Sequence, residues 1–524
     1  MKKSGFRPSA WVFSLSLLLG AAGQPREQNP SFTLTPDQSE ALARISAGSM
    51  RGHLSFIASD ALEGRDTPSA GLEIAAEYIA AQFRRSGLEP AGDDGYFQSS
   101  RWTMISPNPK NFRFTLTDSG KTLDIPASKF SMLGIGAASL DRVAVVKIPF
   151  EEHSLRGTGA VEGKAVITEL PATAQEPPAA SQVSRRRQEF INRVAALRPA
   201  AIVGIDRGER RDSGYFSSRA VRHPEFVGLV SVPAPPLRIT VDDASVNAAF
   251  DAMAPGDTHA TISLNLSAPL TQEAVLRNVI GLLQGSDPVL KDSYILLSAH
   301  YDHLGTRPQL EGDNIWNGAN DNGSGTVSVI EIASALATLR ERPRRSIAFV
   351  AFFGEEHGLL GSRFYAKHPV FPLEKTAAAI NLEQVGRTDS PEGDQHGKAR
   401  ITGFDYSEVS KVIRAAGEQA GISVYKDGET SDDYFSRSDN QALADVGIPS
   451  HTLCVAFDYP DYHRPTDHWD KIDYENMART DRMVALALLM LAQNADPPRW
   501  NVDNPRAARY LKAWEERHPE TPRP

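Results

Sequence analysis

From about residue 277 onward the chain alternates two textures. Apolar runs at 294–298, 346–353, 377–382 and 450–455 are too continuous for half-exposed strands. Between them, Val327, Ile330, Ala333, Leu336 and Leu339 recur every three residues, and Val409, Val412, Ile413 and Ala416 form a second stripe of helical period. Strands buried on both faces read as unbroken apolar runs, whereas a helix lying on a sheet needs only one apolar stripe. The pattern predicts an α/β fold: a mixed, largely parallel sheet flanked by helices.

Upstream, residues 40–57 and 70–86 read as amphipathic helices, the second through Leu72, Ala75, Ala76, Ile79 and Phe83. Residues 24–40 are polar and expected to be extended. Between 105 and 268 the chain changes to short β-like runs, at 112–117, 143–148, 164–169 and 200–205, separated by Pro, Gly and Asp. This predicts an inserted β-rich domain, with a loop over 171–184 where Pro, Ala, Ser and Gln dominate. Apolar residues at 477–492 predict a further helix and 506–514 a short one. The expected organisation is a leader at 1–23, a first part of the main domain at 24–104, the insert at 105–268, the main domain at 269–495 and a polar tail at 496–524.

Composition narrows the function classes. The 524 residues are 41% hydrophobic and 23% charged, as in soluble globular proteins. A formal net charge of -9 leaves no basic stripe to neutralise phosphates, so nucleic acid is not an expected partner. Residues 1–23 carry Lys2, Lys3 and Arg7, then an apolar stretch, then Gly20, Ala21, Ala22 and Gly23. That is the layout of a secretory signal, which predicts a secreted or periplasmic protein with no membrane association after its removal. Cys454 is the only cysteine, so no intrachain disulfide forms; placed in an apolar run, it reads as a buried, inert thiol.

Five chemically pointed positions stand just beyond buried strands or in a glycine-rich turn. His300 stands just beyond the run 294–298, and Asp302, two residues on, shares its face if the chain stays extended, where it could orient the imidazole. Asp321 sits among Asn317, Gly318, Asn320, Asn322, Gly323 and Gly325, a crowd of small residues that permits close backbone approach. Glu355 and Glu356 follow a very apolar strand, where uncompensated negative charge is costly. Glu383 and His463 each follow another such strand. Taken singly, these residues also read as helix caps or solvated side chains. Ligand sites of open α/β sheets lie at the carboxyl ends of the strands, so together they predict one shared site.

Two histidines and three carboxylates without a thiolate suit zinc, and a bridging carboxylate makes a paired site. His300, Glu383 and Asp321 can serve one ion, and Glu356, His463 and Asp321 the other. At this point the chain resembles the co-catalytic di-zinc aminopeptidase family that includes aminopeptidase Y and glutamate carboxypeptidase II. The resemblance rests on residues 298–305, 317–325, 352–362, 381–386 and 462–473, in the family's order.

That resemblance implies two Zn2+ per chain held by His300, Asp321, Glu356, Glu383 and His463, with Glu355 as general base. It implies Tyr462 as a hydroxyl that steadies the oxyanion and a cis peptide between Asp321 and Asn322. Glu383 stands where many members have aspartate, and Asn440 where relatives often have histidine after Ser438 and Asp439. The insert resembles a protease-associated domain at 161–169, 198–206 and 232–240. The implied activity is an aminopeptidase releasing N-terminal residues from peptide substrates by attack of a zinc-activated water. A carboxypeptidase or dipeptidase, a one-zinc glutaminyl cyclase and a non-catalytic receptor on the same fold are the alternatives.

Overall fold

The computed structural model describes residues 32–150, 160–171, 179–207, 214–226, 232–307, 310–428 and 430–519. The expected leader at 1–23 lies outside the described residues, as do 24–31 of the polar stretch and 172–178 of the expected loop.

Among the described residues, one 16-stranded sheet runs through the molecule. At its centre Tyr294–His300 lies parallel to both Ser346–Phe352 and Thr376–Glu383, and Thr376–Glu383 lies parallel to Ser450–Cys454. The strand Lys398–Ile401 closes one side antiparallel to Ser450–Cys454, and Gly256–Leu283 pairs antiparallel with Ser346–Phe352 on the other. This is the mixed, largely parallel sheet expected from the apolar runs.

Period-two alternation explains why those runs are unbroken. Ile295, Leu297 and Ala299 point into a large core shared with the helices Ala47–Ile57, Ala70–Ser86, Gly325–Ala337, Val409–Ala420 and Tyr474–Gln493. Leu296, Ala348, Val350 and Phe352 point the opposite way, into a smaller core with Tyr365, Phe371 and Leu443. Both faces are covered, and Ser298, polar and buried in the central strand, is paired with Asn381. The helix Ala70–Ser86 shows the local logic: Ser69 accepts from the Leu72 N–H, Leu72, Ala75, Ala76, Ile79 and Phe83 are buried, and Gly87 ends it with φ 76. Burying a side chain such as Phe83 is worth about 1.5–3 kcal/mol.

A second core, from Phe114 to Leu266, underlies the strands Ala165–Glu169, Ala201–Ile205 and Leu237–Val241. Two long antiparallel strands, Phe97–Asp118 and Gly256–Leu283, lead from the large core to this one. The boundaries expected at 104/105 and 268/269 fall inside them, so the chain passes between the cores along continuous β-ladders.

Two local expectations fail. Residues 36–40 are helical, not extended, because Thr35 accepts from the Gln38 N–H while the Gln38 side chain accepts from the Thr35 N–H, with Pro36 at the first turn. Residues 179–184 are the start of the helix Ala179–Ala195, whose Phe190 and Val194 pack on Val146, Val166 and Ile202. No described helix is long and apolar enough to cross a membrane.

Candidate metal centre

Because the four central strands run parallel, their carboxyl ends meet at one edge of the sheet. His300 is the last residue of Tyr294–His300 and Glu383 the last of Thr376–Glu383. Past Phe352, the chain turns at Gly354, φ 68, to present Glu355 and Glu356. Beyond Ser450–Cys454 it loops out and returns Tyr462 and His463. Asp321 comes from the turn Ala319–Ser324 ahead of Gly325–Ala337, and the peptide between Asp321 and Asn322 is cis, as the resemblance implies. The small residues there are required: a Cβ on Gly318, φ 57, would lie 2.3 Å from the Asp321 carbonyl oxygen and 2.4 Å from the His303 ring.

The five sequence-derived ligand candidates converge. His300 Nε2 is 2.9 Å from Glu383 Oε1 and 3.5 Å from Asp321 Oδ1. His463 Nε2 is 3.0 Å from Asp321 Oδ2 and 3.4 Å from Glu356 Oε1. Asp321 thus turns one oxygen to each imidazole, the orientation a bridging carboxylate needs. Glu355 Oε2 lies 3.9 Å from His300 Nε2. The ligand atoms of His300, Glu355 and Glu383 all lie within 4.8 Å of one another, and so do those of His303, Asp321 and Glu356.

Electrostatically the cluster calls for cations. Burial drives the Glu355 carboxyl well above the carboxylate range, reinforced by Glu383 and Glu356 and opposed by His300. Burial resists charging of His300, yet Glu383 and Glu355 push its imidazole well above the usual range. Against burial, hydrogen bonds to Asp321 and Glu356 raise His463 to about 10. Burial and Asp321 press Glu356 upward, but hydrogen bonds from His303 and His463 bring it to about 2. Without cations the cluster relieves its negative charge by holding protons on His300, His463 and Glu355. Oxygen and imidazole donors in two adjacent groups, with Asp321 facing His300 through one oxygen and His463 through the other, fit a pair of divalent ions such as zinc.

The surrounding residues fix these donors. Asp302 lies with Oδ1 3.5 Å from His300 Nδ1, while its carboxylate also accepts from the backbone N–H groups of Glu355 and Glu356 at 3.1 and 3.4 Å. One side chain therefore ties the histidine strand to the glutamate turn. Asp467 accepts from the N–H groups of Asn320 and Asp321 and from the Tyr459 hydroxyl. Ser438 donates to Glu383 Oε2 at 2.5 Å. Tyr462 stacks on His463 with centroids 4.0 Å apart, and burial together with Asp321 and Glu356 keeps its hydroxyl protonated.

Two further residues escaped the sequence reading. His303 is fully buried with Nδ1 2.8 Å from Glu356 Oε1, so it aligns that carboxylate or joins the metal site itself. Its signal was the third position after His300 in a motif already in hand. Arg65 is fully buried and donates to the carbonyls of Tyr301, Ile57, Asn317 and Gly318, joining the loops that carry His300 and Asp321. Burial lowers its guanidinium to about 10, against the pull of Asp302, Asp467, Asp321 and Glu356. Arg219, just ahead of the strand Ala220–Arg222, reaches Asp66 at 3.3 Å, and Asp66 contacts His357, the residue after Glu356, at 2.8 Å.

Beside the cluster opens a cleft of about 390 Å³ whose lining includes Asp321, Glu355, Glu356, Glu383, Tyr462 and His463. A reactive group lodged there would face Glu355, Tyr462 and four of the five ligand candidates at once.

Known proteins are similar to this chain in sequence and in fold. Residues 278–488 match the model of peptidase family M28. Aminopeptidase YwaD of Bacillus subtilis is 26% identical over 43% of this chain and 46% of its own length. A probable zinc metalloprotease of Pyrenophora teres is 37% identical over 22% of this chain and 24% of its own. The chain thus spans less than half the length of each of these two relatives. In fold, an aminopeptidase from Aneurinibacillus sp. strain AM-1 superposes with a TM-score of 0.58 at 17% identity, covering 88% of this chain and 97% of that one. His300, Asp321, Glu355, Glu356, Glu383 and His463 all fall inside residues 278–488, the segment that is similar to peptidase family M28.

Proposed function

We propose that this protein is an exported zinc-dependent exopeptidase, an aminopeptidase that removes N-terminal residues from peptides. The observation that carries the reading is the placing of Asp321 between His300 and His463, with Glu383 and Glu356 on either side. His300, Asp321 and Glu383 would hold one zinc ion, and His463, Asp321 and Glu356 the second. When bound, the two ions supply Lewis acidity to the scissile carbonyl and to the attacking water.

The chain's own groups do the rest. Glu355, next to these donors yet outside the ligand set, takes the water's proton on its carboxylate and passes it to the leaving amine. Tyr462, whose phenol stays protonated, donates a hydrogen bond to the developing oxyanion. Asp302 and Arg65 hold the histidine and glutamate loops in register. The leader-like residues 1–23 support export, and the strand-rich second core supports a protease-associated domain. A receptor that has lost catalysis would not need to keep all five ligand candidates and Glu355.

A panel of amino-acid arylamides and dipeptides on zinc-replete protein, run beside a Glu355→Gln variant, tests this. Turnover by the parent and its loss by at least about a hundredfold in the variant, with metal retained, is the expected result. Undiminished turnover would remove Glu355 from the chemistry, and a parent inactive on the whole panel would remove the exopeptidase reading.

A further inference from the structure

The cleft beside the ligand cluster is not built for an aliphatic side chain. Leu359 and Phe457 contribute apolar surface, but its outer wall also includes Arg363, Arg437, Asp458, Ser436, Thr402 and Tyr434. Arg363 stands on the helix Leu360–Lys367, directly after the Glu355–Glu356 turn. Arg437 precedes Ser438, the residue that donates to Glu383. The two guanidiniums therefore come from segments that also position the reaction site.

Among the described residues, neither Arg363 nor Arg437 has a carboxylate within 4.0 Å. Arg437 instead lies over the Tyr434 ring, Cζ 4.6 Å from its centroid. Arg437 lines the same cleft as Tyr462 and Glu383. Asp458 is the one carboxylate of the lining outside the cluster of Asp321, Glu355, Glu356 and Glu383, and it accepts a long 3.5 Å hydrogen bond from the Tyr434 hydroxyl. Two guanidiniums against one carboxylate leave the outer half positive. Guanidinium forks match a carboxylate two bonds at a time, which a neutral side chain cannot exploit. The volume, about 390 Å³, is at the small end of ligand clefts.

Resting on the exopeptidase reading, we propose that Arg363 and Arg437 form a carboxylate subsite. The preferred substrates are then short peptides bearing an anion close to the scissile bond, either the C-terminal carboxylate of a di- or tripeptide or an Asp or Glu side chain. Asp458 sets the limit of the subsite and remains open to a substrate's ammonium group.

The test compares kcat and KM of the zinc-replete full chain for Ala-Ala, Ala-Ala-amide, Glu-arylamide and Ala-arylamide, for the parent and for Arg437→Gln and Arg363→Gln. Preference for Ala-Ala over its amide identifies the terminal carboxylate as the anion, and preference for Glu- over Ala-arylamide identifies the side chain. For the preferred member, Arg437→Gln is expected to lower kcat/KM about ten- to a hundredfold more than for its neutral counterpart, mainly through KM. Arg437→Lys, which keeps the charge, should recover part of the loss. Equal losses on charged and neutral substrates, or hydrolysis of neutral substrates with no preference in the parent, would overturn the subsite while leaving the exopeptidase reading intact. No turnover of any member would overturn both.

Discussion

Ser438 donates its hydroxyl to Glu383 at 2.5 Å and is itself bound by the side-chain amide of Asn381 at 2.9 Å. That amide also donates to Thr452, and Thr452 donates to Asn440. Glu383 and Asn440, the two positions where the sequence departs from the pattern it resembles, are the ends of one buried hydrogen-bonded chain. The longer arm of Glu383 is held by Ser438, and Asn440 supplies an acceptor where an imidazole would have a different reach.

Removing that hydroxyl should therefore loosen one metal and not the other. Ser438→Ala is expected to weaken the zinc ion shared by His300 and Glu383 by about 10–100-fold, as losses of such supporting partners typically do. Calorimetric titration of metal-stripped protein would show one weakened and one unchanged step. Two unchanged steps would mean that Ser438 does not position Glu383.

Acid stability should depend on His451. Its Nδ1–H donates to the Thr402 carbonyl at 2.8 Å, its Nε2 accepts from the Ser407 hydroxyl at 2.6 Å, and burial lowers its pKa to about 4, only partly offset by Thr402. In the unfolded chain the imidazole binds a proton near its usual 6.5, whereas the folded state resists protonation down to about 4. The unfolded state thus binds more protons across that window. Stability is fully present above about 6.5 and is lost as pH falls toward 4, by an amount on the order of 3 kcal/mol. Urea unfolding of the parent and of His451→Asn between pH 7 and 4 checks this: the parent should lose more stability than the variant by roughly that amount. Parallel pH dependences would contradict it.

What the sequence made legible was whatever depends on local period or on a strand's end. His300, Glu356 and Glu383 could be found because unbroken apolar runs mark the central strands and chemistry collects at their carboxyl edge. His463 could be found the same way, lying beyond its strand, whereas Asp321 needed the added cue of its glycine-rich turn. Arg65 was invisible: its four carbonyl partners include Asn317 and Gly318, some 250 residues away, and nothing in the turn at 60–65 distinguishes a buried guanidinium from a solvated one. Breaking such a buried charge arrangement typically costs about 3–5 kcal/mol, so its position matters as much as a ligand's. His303 was in view but not separable from a satisfied histidine until Glu356 came within 2.8 Å. The helix at Pro36–Ala43 was misread because its capping box lay at the edge of a polar stretch.

The pairing of His300 and His463 across Asp321 is tested most directly by counting metal. Elemental analysis of zinc-equilibrated, gel-filtered protein should find two zinc ions per chain in the parent and in Glu355→Gln, and at most one in Asp321→Asn. One ion per chain in the parent, or none, would contradict the paired centre.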